Sequence, residues 1–282
     1  MRRIALVFVA MALASLASVG ALLVLAGSPA QGAVVLPSGF TQSPLVGGLT
    51  GPTDLEFAPD GRLFLAEEAG KVRIAKPDGT LATFLDISSK VDISGERGLL
   101  GVAFDPSFAT NHFVYLHYTR KATATTPVHN RVVRVTANGD KAVAGSELLI
   151  FRMNNQGAVN HLGGALDFAK DGKLYISTGD NTTPENAQKL TNLFGKVLRI
   201  NKDSTIPTSN PFYSTASGKN RAIWTLGLRN PFKFAIKPAT NTIFINDVGK
   251  APGKRSTVAP RVLTTAGISA RATTTTRTSQ AP

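Results

Sequence analysis

The chain has 282 residues, of which 43% are hydrophobic, and it contains no cysteine. This length allows one large domain or two small ones, and the lack of cysteine excludes disulfide bonds and thiol chemistry. The formal net charge is +13, but subtracting two for Arg2 and Arg3 and six for the basic residues from position 250 onward leaves +5. Because the middle of the chain is only mildly basic, we expect no nucleic-acid partner.

The first 33 residues have the pattern of a secretory signal peptide. Two arginines precede a long apolar run from Ile4 to Ala26, and small residues follow it at positions 27–30. A basic start, an apolar centre and a small-residue exit are typical of a cleaved signal. The apolar run is also long enough to span a bilayer, so an uncleaved membrane anchor stays open. With either outcome we expect the rest of the chain to be secreted or otherwise extracytoplasmic.

Residues 34–249 contain a repeated pattern of strands. Four segments place a phenylalanine before a turn and then an alternating apolar strand, and these phenylalanines are Phe57, Phe104, Phe168 and Phe234. The gaps between them are 47, 64 and 66 residues, a period typical of the blades of a β-propeller. No helical periodicity is sustained after the leader, so we predict an all-β domain. Further strands are predicted near Lys71–Ala75, Arg131–Thr136, Leu148–Arg152 and Lys196–Asn201.

The segment Asn160–Asp180, NHLGGALDFAKDGKLYISTGD, reads as a β-hairpin with a polar residue at each end. Asp171-Gly172 lies between two apolar runs, a strong hairpin signal because glycine accepts the positive φ of a tight turn. A hairpin returns its far end to its near end, so His161 and Asp180 could meet. A histidine held by a carboxylate is suited to proton abstraction near neutral pH. The alternative is that His161 is a surface loop residue and Asp180 a turn residue.

Four motifs that occur together and in order resemble one known family. They are GERGLLGVAFDPSF from Gly95, NHLGGALDFAKDGKLYISTGD from Asn160, NAQKLTNLFGKVLRIN from Asn186 and WTLGLRNPFKFA from Trp224. The resemblance is to the soluble glucose/sorbosone dehydrogenases, or aldose sugar dehydrogenases, which use pyrroloquinoline quinone (PQQ). It implies a six-bladed propeller, incomplete here with about four blades. It also implies oxidation of the anomeric carbon of an aldose by hydride transfer to PQQ, with an external electron acceptor.

The resemblance assigns three residues to catalysis. His161 matches the general base that takes the proton of the sugar hydroxyl, and Asp180 matches its orienting partner. Arg229, in GLRNP, matches the arginine that polarises the quinone carbonyls. An ortho-quinone that accepts hydride gains negative charge on its oxygens, so a fixed cation stabilises the transition state most.

Four further residues are assigned to binding by the same resemblance. Asn230 and Glu96 match contacts to the cofactor, and Glu96 also lies near the sugar in the family pattern. Gln188 is a match on the substrate side. Gly249 aligns with a backbone carbonyl that binds calcium against the quinone. Calcium prefers oxygen ligands, including backbone carbonyls, and acts as a Lewis acid on the oxygens it contacts.

Two other functions remain open at this level. The same propeller occurs in hedgehog-interacting proteins, where it serves recognition, and other propellers are calcium-dependent lactonases. The joint presence of His161, Asp180 and Arg229 favours the dehydrogenase, because a binding module has no need of a base, its acid partner and a cation. A lactonase needs more inward acidic ligands than Glu96 and Asp180 provide. His112 and His117 alternate along a predicted strand, but two histidines without a third ligand are usually structural.

The sequence departs from the family pattern directly after Gly249. The family continues with a segment like QGTWEEIN, whereas this chain reads KAPGKRST. If one base is restored before suitable codons for KAPGKRST, the shifted reading frame encodes QGTWEEIN. The same frame continues to encode residues that resemble the family. Residues 250–282, which end in a polar, threonine-rich stretch, are therefore expected to be out of frame and disordered. A propeller that lacks its last blades leaves open strand edges, so we expect the 282-residue product to bind quinone poorly or not at all.

Resequencing the gene across the Gly249 codon tests this reading. We expect one additional base before the codon for Lys250, after which the frame encodes QGTWEEIN and further blades. A native transcript with an intact frame that ends at Pro282, together with a functional tail, would contradict it.

Overall fold

The computed structural model describes residues 36–238, 240–249 and 259–261. The chain divides into two compact units, Met1–Ser43 and Pro44–Pro282. Of the first unit only residues 36–43 are described, and they form a turn in which the Phe40 N–H donates to the Pro37 carbonyl at 3.1 Å. The expected signal peptide, residues 1–33, lies outside the described residues. Among the residues that are described, no helix has both the length and the apolar character needed to cross a membrane.

The second unit contains four antiparallel sheets in chain order. The first consists of β1 (Pro52–Phe57), β2 (Leu63–Glu67), β3 (Lys71–Ala75) and β4 (Leu81–Asp86). The second consists of β5 (Leu99–Phe104), β6 (Phe113–Arg120), β7 (His129–Asn138), the short β8 (Lys141–Ala142) and β9 (Leu148–Asn155), with β7 pairing to β6, β8 and β9. The third consists of β10 (Leu166–Phe168), β11 (Leu174–Thr178), β12 (Lys196–Ile200) and β13 (Ile223–Leu226). The fourth consists of β14 (Pro231–Lys237), β15 (Thr242–Asp247) and β16 (Ala259–Arg261).

Helical structure in the described chain is short. It consists of one turn of α-helix, α1 (Phe108–Asn111), and two 3₁₀ turns, Pro184–Gln188 and Gly218–Ala222. The strands predicted near Lys71, Arg131, Leu148 and Lys196 are present as β3, β7, β9 and β12. The prediction of an all-β domain is therefore confirmed.

The repeated phenylalanines pack each sheet onto the one before it. The first strands of successive sheets are in contact, β1 with β5, β5 with β10 and β10 with β14. Phe104 lies edge-on to Phe64 of the first sheet at 4.9 Å between ring centroids, and Phe168 lies edge-on to Tyr115 of the second sheet at 5.0 Å. Phe234 packs against the core of the third sheet. Four-stranded meanders with inner first strands are propeller blades, so the predicted incomplete propeller of about four blades is confirmed.

Phe57 occupies the equivalent position of the first blade, but its environment differs. Phe57 is 61% exposed, and Leu55 on the same side of β1 is 59% exposed, whereas Phe104 is 8% exposed. In the described part of the chain no blade precedes β1 to cover these two side chains. The repeat phenylalanine therefore stabilises the fold only where a preceding blade is present.

Charged side chains on the inner strands also join non-neighbouring blades. Lys233 Nζ on β14 donates to Asp54 Oδ1 on β1 at 2.7 Å and to the Leu100 carbonyl on β5 at 3.1 Å. Burial, together with the charges of Asp167 and Asp54, raises the pKa of the Glu56 carboxyl to about 7. The inner strands of the first, third and fourth blades thus share one partly buried polar cluster.

Part of the segment expected to be disordered is ordered in the structure. Ala259–Arg261 forms β16 and pairs antiparallel to β15, with Ile245 opposite Ala259 and Ile243 opposite Arg261. An edge strand offers unpaired N–H and C=O groups to any extended chain nearby, which is the physical reason for this departure. The other residues from 250 to 282 lie outside the described residues.

Two matched substitutions test the packing role of the repeat phenylalanine. We expect Phe104→Ala to lower the free energy of unfolding by about 3–5 kcal/mol, because it removes a buried ring from between two blades. Phe57→Ala, at the equivalent exposed position, should cost less than about 1 kcal/mol. Urea denaturation of both variants measures the difference, and equal losses would show that blade packing does not depend on this repeat.

Candidate active site

Loops from three blades meet at one end of the sheets. Glu96 precedes β5, His161 precedes β10, and Asp180 follows β11. In an antiparallel meander the start of the first strand and the end of the second lie at the same end of the sheet. Arg229 and Asn230 precede β14 and join the same end. This is why residues far apart in the sequence become neighbours here.

His161 and Asp180 are in direct contact. The distance from His161 Nδ1 to Asp180 Oδ1 is 2.7 Å, so the β10–β11 hairpin brings the two residues together as its turn signal suggested. The Asp180 side chain is 1% exposed and the His161 side chain 16% exposed. A carboxylate only accepts hydrogen bonds, so the hydrogen lies on Nδ1. Nε2 is then the nitrogen that can accept a proton.

Close approach of the two hairpin arms requires Gly179. A Cβ atom at this position would lie 2.0 Å from the His161 carbonyl oxygen, well inside van der Waals contact. The backbone of His161 has a φ of +58°, in the left-handed region that few residues other than glycine adopt. Its carbonyl accepts the Asn181 N–H at 3.2 Å. Sequence reasoning did not single out Gly179, although its position directly before Asp180 was the available signal.

Glu96 connects the second blade to the third and fourth. Its Oε2 atom accepts the backbone N–H of His161 at 2.7 Å and the side-chain Nδ2 of Asn230 at 3.2 Å. The Oδ1 atom of Asn230 in turn accepts the Gly163 N–H at 3.0 Å. The structure therefore brings Glu96 and Asn230 to His161, and the exposed carboxylate of Glu96 faces the same end of the sheets.

Asp247 is a site residue that sequence reasoning missed. Its carboxylate accepts the backbone N–H of Arg229 at 3.1 Å and that of Asn230 at 2.7 Å, which fixes the loop that carries both residues. Burial raises the pKa of the Asp247 carboxyl, and the two amide donors partly offset this. The signal available was its place at the end of β15, two residues before Gly249.

Arg229 is linked to both neighbouring loops. Its carbonyl accepts the Asp180 N–H at 2.7 Å, and its guanidinium Nη1 donates to the Val248 carbonyl at 2.8 Å. The Arg229 guanidinium is thus bonded to the loop that follows β15 of the fourth blade, and the Arg229 backbone is bonded to the loop that follows β11 of the third blade. His161, Asp180 and Arg229 are connected through one continuous set of hydrogen bonds.

Gln188 and Gly249 are less closely tied to this cluster. Gln188 is exposed at the end of the 3₁₀ turn Pro184–Gln188 and, among the described residues, forms no hydrogen bond to the cluster. Gly249 directly follows Val248, next to the arginine loop. His117 is fully buried, and burial lowers its pKa to about 4.

No metal cluster is formed by side chains in the described chain. Within residues 36–238, 240–249 and 259–261 there is no group of three or more histidine, aspartate or glutamate side chains arranged to hold a metal ion. A calcium ion beside Gly249 would therefore depend on backbone carbonyls and on oxygens supplied by a bound cofactor.

Comparison with known proteins identifies a consistent set of relatives. The family model "Glucose / Sorbosone dehydrogenase" matches residues 49–255. The aldose sugar dehydrogenase of Escherichia coli is 30% identical over 72% of this chain and 54% of its own length. Quinoprotein glucose dehydrogenase B of Acinetobacter calcoaceticus is 30% identical over 75% of this chain and 49% of its own length. The mouse hedgehog-interacting protein is 32% identical over 72% of this chain and 32% of its own length.

Solved structures give the same result. The apo form of the Escherichia coli soluble aldose sugar dehydrogenase matches with a TM-score of 0.65 and 30% identity, over 73% of this chain and 59% of that chain. The PQQ-bound aldose sugar dehydrogenase of Streptomyces coelicolor matches with a TM-score of 0.62 and 27% identity over the same shares, 73% and 59%. The chain spans about half the length of the two dehydrogenase sequences, 54% and 49%.

A substitution at Gly179 tests the geometry of the histidine–aspartate pair. Gly179→Ala should lower the free energy of unfolding by about 3 kcal/mol, because the new methyl group displaces the His161 carbonyl. Hydrogen exchange of the Asn181 amide, which donates to that carbonyl, should become faster in the variant. Gly157→Ala is the control: its Cβ would meet only the side-chain Nδ2 atom of Asn181, at an ordinary contact distance of 3.8 Å, and it should change stability by less than about 0.5 kcal/mol. Equal effects of the two substitutions would contradict the close approach.

Proposed function

Because the chain belongs to the glucose/sorbosone dehydrogenase family, we propose that it is a quinone-dependent oxidoreductase that oxidises the anomeric carbon of aldose sugars, with this activity impaired in the 282-residue product. The observation that carries this proposal is the 2.7 Å hydrogen bond from His161 to Asp180 at the end of the blades where Arg229 also lies. A base, its orienting acid and a cation are the groups that hydride abstraction from a hydroxyl-bearing carbon requires.

His161 removes the proton of the hydroxyl group that is attached to the anomeric carbon. Its Nε2 atom accepts this proton, while Asp180 accepts the Nδ1 hydrogen and stabilises the imidazolium that forms. Loss of the proton places negative charge on the sugar oxygen, and this charge drives the departure of hydride from the same carbon. The buried position of Asp180, 1% exposed, strengthens its electrostatic effect on the imidazole.

Arg229 and Asn230 are proposed to hold PQQ, with Glu96 between them and His161. When bound at these residues, PQQ would supply an ortho-quinone as the acceptor for the hydride. Two features favour this assignment: the guanidinium of Arg229 is anchored by Val248, and the Asn230 side chain is held by Glu96 and Gly163. A cation that is already oriented needs little rearrangement as negative charge develops in the transition state. This preorganisation is the main electrostatic source of rate enhancement.

The remaining assignments have weaker structural support. Gln188 is proposed to contact the sugar from the exposed loop after Asp180, and the Gly249 carbonyl is proposed as a calcium ligand. No step of the reaction is assigned to calcium, because the described residues supply no side-chain ligand cluster. Secretion through the signal at residues 1–33 and transfer of electrons to an external acceptor complete the proposal.

A recognition module is the second candidate function. The mouse hedgehog-interacting protein has an identity to this chain, 32%, as high as that of the dehydrogenases. Binding of a protein partner without sugar oxidation would favour this alternative.

Quinone titration separates the two functions. The 282-residue chain and the chain read from a frame-restored gene are each mixed with PQQ and calcium, and dye-linked oxidation is followed over a panel of aldoses. We expect activity from the frame-restored chain, with His161→Gln lowering kcat by about 10²–10⁴-fold and leaving quinone binding intact.

His112→Gln is the matched control, since His112 is exposed directly after α1, at the end of the second blade opposite to Glu96. It should leave kcat unchanged. If neither chain oxidises any aldose, or if His161→Gln equals the unsubstituted protein, the proposed function is wrong.

A further inference from the structure

Lys196 is a buried cation that the proposed reaction does not use. It is the first residue of β12 and is 0% exposed. Its Nζ atom donates to the carbonyls of Asn186 at 2.8 Å, Ala187 at 2.9 Å and Phe194 at 2.6 Å. All three carbonyls belong to the segment of residues 184–195, which links β11 to β12 and is called the 184–195 loop below.

The ammonium group has backbone oxygens around it in place of a carboxylate. Among the described residues Lys196 forms no ion pair, and burial lowers its pKa to about 8. Burying a charge costs free energy unless hydrogen bonds compensate it. Three short carbonyl contacts use all three hydrogens of an ammonium group, so the charge is fully satisfied by the loop alone.

The loop around Lys196 is bonded to both arms of the candidate active site. On one side, Asn186 Nδ2 donates to the Asp180 carbonyl at 3.2 Å, and the Gly195 N–H donates to the Gly179 carbonyl at 2.8 Å. On the other side, the Ala187 carbonyl accepts the Gly227 N–H at 2.9 Å.

The Gly195 carbonyl completes this second side, since it accepts the Leu228 N–H at 3.2 Å. Leu228 is the residue directly before Arg229. The 184–195 loop therefore spans the space between the segment that carries Asp180 and the segment that carries Arg229.

We propose that Lys196 is a positioning residue whose ammonium group ties the 184–195 loop into one shape and so sets the relative placement of Asp180 and Arg229. Asn186 and Ala187, two of its partners, are the same residues that bond to the two arms. Losing the ammonium would remove the donor that joins Asn186, Ala187 and Phe194 and loosen the loop on both arms, leaving the 2.7 Å bond from the Asp180 N–H to the Arg229 carbonyl to hold the arms with less support. The purpose of this placement, which is to orient His161 and the quinone, rests on the proposed function.

Gly195 shows how tightly this junction is packed. Its φ is +67°, and a Cβ atom there would lie 2.4 Å from the Leu228 carbonyl oxygen and 2.6 Å from the Ala187 Cβ. Directly beside Lys196, therefore, the loop and the arginine arm are already in contact. A small movement of the loop would therefore displace Leu228 as well, because close-packed interiors transmit strain.

Hydrogen exchange measured on the protein without quinone or sugar tests the proposal. Lys196→Met keeps the length of the side chain and removes the charge and the donors. We expect protection of the Gly195, Gly227 and Leu228 amides to fall by at least about tenfold, a change in opening equilibrium that local loss of structure produces. Ile74→Ala is the control: Ile74 is fully buried in the core of the first two blades, which includes no residue of the 184–195 loop.

Ile74→Ala should lower global stability while leaving the ratio of loop protection to core protection unchanged. If Lys196→Met changes this ratio no more than Ile74→Ala does, the proposal is overturned. Should Lys196→Met not fold, the unsubstituted protein with ¹⁵N-labelled lysine gives a second measurement. Slowly exchanging ammonium hydrogens on Lys196 with contacts to the loop are expected, and rapid exchange would overturn the proposal.

Kinetics then separate this inference from the proposed function. In a chain that oxidises aldoses, Lys196→Met should lower kcat and raise the KM for sugar, whereas Ile74→Ala should leave both unchanged in the folded fraction. A loop that loosens in Lys196→Met when no aldose is oxidised by any chain would support the inference and refute the proposed function. Unchanged kcat and KM in an active Lys196→Met chain would overturn the positioning role.

Discussion

The hydrogen bond between His161 and Asp180 depends on two backbone segments lying closer than side chains normally allow. Only a glycine at position 179 leaves room for the His161 carbonyl, 2.0 Å from where a Cβ would be. His161 meets this constraint with a left-handed backbone, which is strained for histidine. Strain of this kind persists only where surrounding contacts compensate it, and here the Glu96 carboxylate and the Asn181 amide bond the backbone of His161 on both sides. His161 is therefore fixed by its backbone as firmly as by its side chain.

The fold and the histidine–aspartate pair were predictable because residue types mark them in the sequence. Strand alternation and the Asp171-Gly172 turn each lie within a few residues, and the phenylalanines recur at gaps of 47, 64 and 66 residues. The roles of Asp247, Gly179 and Lys196 were not predictable in the same way. Their partners are backbone amides and carbonyls, which every residue carries, so no residue type in the sequence marks them. Asp247 bonds to amides 17 and 18 residues away, and Glu96 bonds to Asn230 across 134 residues.

Backbone amides and carbonyls, more than ion pairs, hold the site together. The Asp247 carboxylate is bonded by two amides, the Lys196 ammonium by three carbonyls and the Arg229 guanidinium by one carbonyl. Main-chain dipoles are fixed by the strands on either side and cannot rotate away as side chains do. Such an arrangement leaves the charges of Arg229 and Glu96 accessible while their positions stay defined, which is what preorganised electrostatic stabilisation requires.

Blade packing and site geometry are consequently coupled. Glu96 belongs to the second blade, His161 to the third and Asn230 to the loop that enters the fourth, yet one carboxylate oxygen of Glu96 bonds to both others. A rotation of one blade against the next would break that junction before it disturbed any single sheet. The rings of Phe104 and Phe168, wedged between successive blades at 4.9 and 5.0 Å from their partners, oppose such rotation. A surface that only recognises a partner tolerates small changes in blade angle, whereas the proposed base and cation, aimed at one reacting centre, do not. The shared oxygen of Glu96 is thus the point at which the requirements of the fold and those of the proposed chemistry become the same.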